Sequence, residues 1–256
     1  MTLISPTFTR TELTRVVRDP VGLFFTAVLP AFFYVIFGAT QDYKDAAAGN
    51  GNVAMWIMIS MAAYGAVTAT TAVGGLAAVE KMQGWGRQLG LTPMRDATFV
   101  ASKATVALLI AAIPIALIYA IGVLTGASGT TTAWLLSAIV VLAGAVVFAL
   151  FGLAIGLAFR SESAVGAASG MLVVFAFLGN VFVPLSGTML DIARFTPLYG
   201  YVSLARRPLT EGYVLTQDGS APQLEPLWIS VTNLGVWAAV FALLAVLLVR
   251  RGRGRQ

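Results

Sequence analysis

The amino-acid sequence predicts an all-α integral membrane protein with six transmembrane helices. Hydrophobic residues make up 58% of the 256-residue chain and charged residues only 11%, whereas a soluble domain has roughly a quarter charged residues. The apolar residues lie in six long runs that contain no Asp, Glu, Lys, Arg or His. We therefore expect one membrane domain over residues 1–256, without a separate soluble catalytic domain.

Residues 1–19 predict a short amphipathic helix that lies in the membrane interface. Ser5 can cap this helix, with Pro6 at its first position. The apolar contacts would come from Phe8, Leu13, Val16 and Val17, and the polar side from Arg10, Glu12, Arg15 and Arg18. A disordered basic tail is the alternative interpretation.

The six apolar runs are each long enough to cross about 30 Å of hydrocarbon. They cover residues 21–39, 53–79, 104–124, 133–159, 164–183 and 228–249. Asp19 and Pro20 form a helix-start signal for the first run, which is too long for the core of a typical signal peptide. Pro30 and Pro114 predict kinks in the first and third spans.

Two polar connections are long enough to carry structure outside the bilayer. Residues 80–103 hold two acidic and four basic residues. Residues 184–227 form the longest connection and contain five prolines. Aromatic residues in and around it are typical of a membrane interface; they are Phe182, Tyr199, Tyr201, Tyr213 and Trp228.

The distribution of basic residues predicts that both termini and residues 80–103 lie in the cytosol. Cytoplasmic segments of membrane proteins carry an excess of Lys and Arg. With a cytosolic N-terminus, twelve of the sixteen basic residues lie on inner segments, and the four on outer segments are Lys44, Arg194, Arg206 and Arg207. We expect a multi-pass protein of the cell membrane, whose basic charge serves orientation and lipid headgroups rather than nucleic-acid binding.

The spans lack the groups that power or catalyse reactions inside a membrane. The chain has no Cys and no His, and the six runs hold no carboxylate or cation, so no metal site, catalytic pair or ion-coupling site can be assembled there. The sequence also contains no phosphate-binding loop of the form GxxxxGKS or GxxxxGKT. We therefore expect a protein that is not an enzyme, binds no cofactor or metal itself, and takes its energy from another polypeptide.

A mildly polar stripe runs along the second span. Ser60, Tyr64, Thr68, Thr71 and Gly75 recur at helical spacing and share one face. Such a stripe either bonds a neighbouring helix or lines a solute path, and the same alternatives hold for the polar residue late in the fifth span. The candidate substrate path consists of Tyr64, Thr68, Thr71 and Asn180.

Residues 80–103 predict a weak helix that must dock to be stable. Met82, Trp85 and Leu89 form a narrow apolar stripe, interrupted by glycines at positions 84, 86 and 90. Each glycine in a helix interior costs about 1 kcal/mol relative to Ala, and Pro93 ends the helix. The docking surface is either the bilayer, with Trp85 as an interfacial anchor, or a partner protein.

The same stretch resembles the first cytosolic loop of ABC-2 type exporter permeases. That loop typically carries an acidic residue, a Gly, a Leu, a Thr-Pro pair and a Lys leading into the third span. Here these residues are Glu80, Gly84, Leu89, Thr92-Pro93 and Lys103. Two further segments resemble the family's entry to its first span and its connection between the last two spans. They are Arg18-Asp19-Pro20 with Leu29-Pro30 and Phe37-Gly38, and Phe182-Val183-Pro184-Leu185 with Thr196-Pro197-Leu198-Tyr199 and Arg206.

This resemblance implies the permease subunit of an ATP-driven exporter of drugs, lipids or polysaccharides. Two such subunits, identical or different, would join two ABC ATPases that bind ATP and Mg²⁺. Residues 80–103 would form the coupling helix, the N-terminal helix would contact the same ATPase, and residues 184–227 would form a re-entrant hairpin at the outer gate. The implied coupling residues are Glu80, Met82, Gly84, Trp85, Arg87, Leu89 and Pro93, although the family often has Gly-Thr where this chain has Gly84-Trp85.

Three other functions remain open from the sequence. An ion-coupled secondary transporter would need a titratable residue in the spans. A membrane enzyme would have to use loop carboxylates such as Asp191, Glu211 or Asp218. A membrane scaffold without transport activity is also compatible with the sequence. The expected function is the export of an amphipathic drug-like or lipid-like molecule.

The apolar stripe of residues 80–103 generates a first prediction. Replacing Met82, Trp85 and Leu89 together with Ser removes the surface that docks on the ATPase. ATP-driven transport should therefore fall to background while the protein still inserts into the membrane. Transport in inverted vesicles and abundance in the membrane fraction measure the two effects, and unchanged transport would contradict the assignment of this stripe to coupling.

Overall fold

The computed structural model describes residues 5–80, 96–216 and 222–253, which form helices joined mostly by short turns. The helices are α1 (Pro6–Val17), α2 (Pro20–Ala39), α3 (Val53–Glu80), α4 (Asp96–Thr125), α5 (Thr131–Phe159), α6 (Glu162–Leu178), α7 (Gly187–Ala193), α8 (Pro197–Thr210) and α9 (Leu227–Arg253). Two short antiparallel hairpins pair β1 (Ala47–Ala48) with β2 (Gly51–Asn52), and β3 (Tyr213–Val214) with β4 (Gln223–Leu224). The main feature of the prediction, an all-α membrane protein, is confirmed.

Among the described residues, five helices are long and apolar enough to cross a membrane; they are α2, α3, α4, α5 and α9. The remaining predicted span, α6, has only 17 residues. The sequence predicted it to continue to residue 183, but the helix ends at Leu178. The reason is local, because Asn180 adopts the left-handed conformation with φ of 60° and turns the chain.

The first span departs from a regular α-helix on both sides of Pro30. Proline has no backbone N–H to donate within the helix, and the preceding residue, Leu29, bonds to the carbonyl of Phe24, five residues back. The sequence predicted a kink here, and the structure accommodates the proline between two π-helical turns. These turns cover Phe24–Val28 and Val35–Ala39.

The predicted helix-start signals have different outcomes. The carboxylate of Asp19 caps α2 by accepting a hydrogen bond of 3.0 Å from the N–H of Gly22. Ser5 occupies the capping position of α1, with Pro6 next to it, but its side chain makes no capping bond. The second predicted kink residue, Pro114, lies inside α4, which continues through it as one helix.

The centre of the bundle is α3, which the rest of the chain surrounds along almost its whole length. Small residues make this enclosure feasible, because they let helices approach until their backbones touch. An added Cβ at Gly152 of α5 would collide with the carbonyl oxygen of Thr71, and one at Gly156 would collide with that of Gly75. The chain therefore holds α3 and α5 in direct backbone contact.

Two GxxxG pairs lie inside the predicted spans, where such pairs pack either within one subunit or between two. The structure places the pair Gly152 and Gly156 within the subunit, against α3. The other pair, Gly166 and Gly170 of α6, has no atom of the described chain within 4 Å of an added Cβ. The two pairs thus have different surroundings.

The long connection after α6 is folded. Its helix α8 buries apolar residues such as Leu198, Tyr201 and Leu209, and the backbone N–H of Asn50, just before α3, donates to the Leu209 carbonyl at 2.7 Å. These elements cover the end of the bundle where α3 begins, which we call the distal end. Composition predicted only a polar, aromatic connection in this region, and the family resemblance implied a re-entrant hairpin, which stays a prediction.

Replacing Gly152 with Ala should destabilise the bundle, because the new methyl group would collide with a backbone carbonyl that cannot rotate away. We expect the free energy of unfolding to fall by about 1–3 kcal/mol, the range for overpacked cores. Gly235→Ala in α9, where nothing lies within 4 Å of the added Cβ, is the matched control and should be neutral or slightly stabilising. Chemical denaturation in detergent micelles measures both, and equal losses would contradict this packing.

Candidate functional site

The N-terminal helix α1 packs against the bundle through its apolar side. Leu13 and Val16 contact an apolar cluster formed by α3 and α4. The cluster consists of Ala69, Val73, Val106, Ala107 and Ile110. The predicted division into an apolar and a polar side fails at Glu12, which is buried.

Glu12 is buried because it belongs to a group of four charged side chains, Glu12, Arg15, Glu80 and Lys103, which we call the charge cluster. The Nζ atom of Lys103 lies 2.5 Å from Oε2 of Glu12 and 2.7 Å from Oε2 of Glu80. The Nη2 atom of Arg15 lies 2.5 Å from Oε1 of Glu80, and its Nη1 atom lies 3.8 Å from Oε1 of Glu12. The charge cluster therefore joins α1, the end of α3 and the start of α4.

The charge cluster is neutral as a whole and mostly removed from solvent. The side chains of Glu12 and Lys103 are each 9% exposed and that of Glu80 is 13% exposed, whereas Arg15 is 50% exposed. Partial burial alone would lower the pKa of Arg15, but its contact with Glu80 and the charge of Glu12 raise that pKa above its ordinary value. The Lys103 ammonium lies between two carboxylates that would otherwise repel each other, and 5.6 Å from the ring centroid of Phe8.

The charge cluster flanks the segment that the sequence predicts to be the coupling helix. Glu80 is the last residue of α3, and Lys103 lies about two turns into α4. The ion pair between Glu80 and Lys103 joins the two helices that flank residues 81–95. Through its own pair with Lys103, Glu12 connects α1 to these two helices. The other predicted coupling residues lie outside the described residues; they are Met82, Gly84, Trp85, Arg87, Leu89 and Pro93.

The candidate substrate-path residues lie inside the bundle, surrounded by protein. All four are buried: Tyr64, Thr68, Thr71 and Asn180. The hydroxyl of Thr71 donates to the Phe148 carbonyl of α5 at 3.3 Å, and that of Thr68 donates to the carbonyl of its own helix four residues back at 2.9 Å. Asn180 is in the turn after α6, where its Oδ1 accepts a bond of 2.8 Å from the N–H of Leu185.

A residue that sequence analysis assigned to an outer segment, Arg206, is buried at the distal end. Its Nε and Nη2 atoms donate to the Ser60 hydroxyl at 2.8 and 2.5 Å. Its Nη1 and Nη2 atoms donate to the carbonyls of Asn180 and Val181 at 2.7 and 3.0 Å. The guanidinium carbon lies 3.5 Å from the ring centroid of Trp56. The missed signal was the position of this arginine on the apolar face of an amphipathic helix.

Comparison with known proteins identifies the family. A family model described as "ABC-2 family transporter protein" matches residues 37–247, from the end of α2 into the last helix. The chain belongs to the ABC-2 transporter family. It is also 24% identical over 247 residues to a Bacillus subtilis (strain 168) protein named "Putative transport permease YvfS", with 94% of each chain covered. Members of the ABC-2 family are membrane permease components that work with an ABC ATPase and are not enzymes themselves.

Replacing Lys103 with Met should destabilise this ABC-2 protein, because Glu12 and Glu80 would remain buried without their shared partner. Removing one member of a buried ion pair costs about 3–5 kcal/mol. Lys44→Met, at a partly exposed site where the ammonium donates to one carbonyl at 3.3 Å, is the matched control and should lose about 1 kcal/mol or less. Chemical denaturation in lipid nanodiscs measures both variants.

A second change separates the charge effect from simple loss of packing. Adding Glu12→Gln to Lys103→Met should recover part of the lost stability, since it removes one of the two facing carboxylates. If the loss in unfolding free energy of the double variant instead equals the sum of the losses of the two single variants, the ion pairs of the charge cluster do not govern stability at this site.

Proposed function

We propose that this chain is the membrane-spanning permease subunit of an ATP-driven exporter, powered by a separate ABC ATPase. Its family and its similarity to a protein named as a transport permease support this function. The sequence has no phosphate-binding loop, which leaves ATP and Mg²⁺ to the partner. The observation that carries the proposal is the charge cluster, because it joins three helices around the segment on which a cytosolic partner would act.

The proposed subunit crosses the membrane six times, with α6 as the fifth crossing. Near the start of α6, Val165 lies beside Gly75 of α3, and just after its end the Phe182 ring lies 5.1 Å from the ring of Tyr64. The helix therefore runs along α3 toward the distal end, and its 17 residues rise about 26 Å. The excess of basic residues then orients the charge cluster and both termini toward the cytosol.

In the proposed cycle, ATP binding closes the ATPases and moves residues 80–103. Because Glu80 and Lys103 are joined, this movement acts on α3 and α4 together, and through Glu12 it also acts on α1. ATP can shift the equilibrium only if the ATPase contacts this segment differently in its two states. The enclosed helix α3 then carries the displacement to the distal end.

The proposed assembly contains two permease subunits, identical or different, and two ATPases in the cell membrane. The surface of α6 around Gly166 and Gly170 has room for the close helix approach that such a pair of subunits uses. Membrane lipids would cover the remaining apolar surface of the spans.

The proposed cargo is an amphipathic drug-like or lipid-like molecule, moved out of the cell as in multidrug efflux. The uncharged spans favour such a molecule over an ion. The polar stripe would offer it weak hydrogen bonds once the helices move apart; the candidate residues are Tyr64, Thr68, Thr71 and Asn180.

The test is whether the chain purifies with an ABC ATPase and moves a dye when ATP is supplied. We expect a stable complex, and ATP-dependent transport of rhodamine 6G or a fluorescent phospholipid in proteoliposomes. An ATPase whose phosphate-loop lysine is replaced provides the control and should support none. Transport that persists without ATP and collapses with the proton gradient would contradict the proposal and favour an ion-coupled carrier. A stable complex that transports neither probe would favour a membrane scaffold.

A further inference from the structure

The distal end carries a second polar network, centred on the buried carboxylate of Glu225. We call α7, α8 and the β3–β4 hairpin the distal cap, and Glu225 follows its last strand. Its Oε1 accepts hydrogen bonds from the Tyr199 hydroxyl at 2.7 Å and from Nε of Arg194 at 3.1 Å. Its Oε2 accepts one from the Ser203 hydroxyl at 3.3 Å. One carboxylate thus binds the end of α7 and two successive turns of α8.

The backbone of the same residue extends the network. Its carbonyl accepts a bond of 3.0 Å from Nη1 of Arg207 in α8, and its N–H donates to the Gly212 carbonyl at 2.9 Å. Burial and the neighbouring carboxylate raise the pKa of Tyr199 well above its ordinary value, so the phenol stays protonated and can donate. The junction between the distal cap and α9 is therefore held by both backbone and side chain of Glu225.

The first turns of α9 add a second row of bonds to the distal cap. Nδ2 of Asn233 donates to the carbonyls of Arg194 and Thr196 at 2.7 and 3.1 Å, and its Oδ1 accepts from the Gly200 N–H at 3.2 Å. Trp237 donates to the Phe195 carbonyl at 3.0 Å. These bonds satisfy backbone groups where α7 ends and α8 begins, which would otherwise lack partners.

The opposite face of α8 meets the bundle in a different way. There buried apolar residues such as Leu198 and Val202 pack beside polar contacts: Tyr201 donates to the Val141 carbonyl, and Arg206 donates to the Ser60 hydroxyl and to two carbonyls. The side chain of Asn50 donates to the Pro208 carbonyl and to Glu211. Separating α8 from α9 would strip the buried Glu225 carboxylate of its donors, whereas Arg206 on the bundle side is held by neutral groups that water can replace. The two boundaries of the distal cap therefore differ in chemistry: the Arg194–Glu225 ion pair holds the one toward α9, whereas bonds to neutral groups hold the one toward the bundle.

We propose that Glu225 is a positioning residue that makes the distal cap and the first turns of α9 one rigid body, which moves as a unit when the distal end opens. The movement rests on the proposed transport function. The rigidity does not, because it can be measured on the purified chain alone.

Hydrogen exchange in nanodiscs tests the rigid body. Glu225→Gln removes the charge that holds Arg194, so amides across α7, α8 and the start of α9 should exchange together, about tenfold faster or more. Glu211→Gln is the matched control, an exposed carboxylate of the same region that bonds Asn50 at 3.1 Å, and should change only nearby amides. Faster exchange confined to residues beside position 225 would overturn the proposal.

A disulfide provides a rescue, since the chain has no native cysteine. The hydroxyls of Ser203 and Ser230 are 3.0 Å apart, so S203C/S230C can link α8 to α9. Oxidising this pair in the Glu225→Gln background should restore slow exchange, and reduction should abolish the rescue. Failure of the closed disulfide to restore protection would show that this carboxylate does not act by joining the two helices.

The same disulfide tests the movement in the ATPase complex. With the wild-type carboxylate present, oxidised S203C/S230C should transport rhodamine 6G at the rate of its reduced form, within about twofold, because α8 and α9 do not separate. Loss of transport on oxidation, regained with reductant, would overturn the proposal. Failure of the wild-type chain to bind an ATPase would instead contradict the proposed function and leave the exchange result standing.

Discussion

The enclosure of α3 is the constraint on which the rest of the structure depends. In a membrane, helices satisfy their backbones internally and associate through close packing of small residues. Gly152 and Gly156 of α5 let the two backbones touch, because they lie against the carbonyl groups of Thr71 and Gly75 on α3. Thr70 and Thr71 add hydroxyl bonds to carbonyls of α5 at 2.8 and 3.3 Å. While their backbones stay in contact, neither helix can slide along the other without overlap, so in this state the pair behaves as one stiff element.

This stiff element connects two charged sites at its opposite ends. Glu80 ends α3 within the charge cluster, and Ser60, which binds Arg206, lies about 30 Å away along the helix axis. Each site binds α3 to a helix other than α5. The charge cluster binds α1, and the Arg206 site binds α8. Because α3 is buried along its length, it has no open side into which it can bend. In the proposed cycle, a displacement at one end would therefore reach the other.

Composition and apolar runs predicted the class of protein and most helix limits, because these depend on properties of neighbouring residues. The predictions failed where a distant partner sets the environment. Glu12 was assigned to the polar side as a charged residue, but it is buried because its partner Lys103, 91 positions away in the sequence, pairs with it. Arg206 was missed for the same reason, since Ser60 lies 146 positions away. The family resemblance singled out Lys103 and Arg206 as motif members, but only the fold shows what they contact.

The two charged sites differ in the movements they permit. In the charge cluster, two acids and two bases neutralise one another, so the three joined helices can move together without exposing an unpaired charge. Arg206 is held by neutral groups instead, namely the Ser60 hydroxyl, the carbonyls of Asn180 and Val181, and the Trp56 ring. Moving α8 away from these acceptors would leave a buried cation without partners, which is strongly unfavourable unless water replaces them. The proposed opening of the distal end would therefore require water to enter at Arg206.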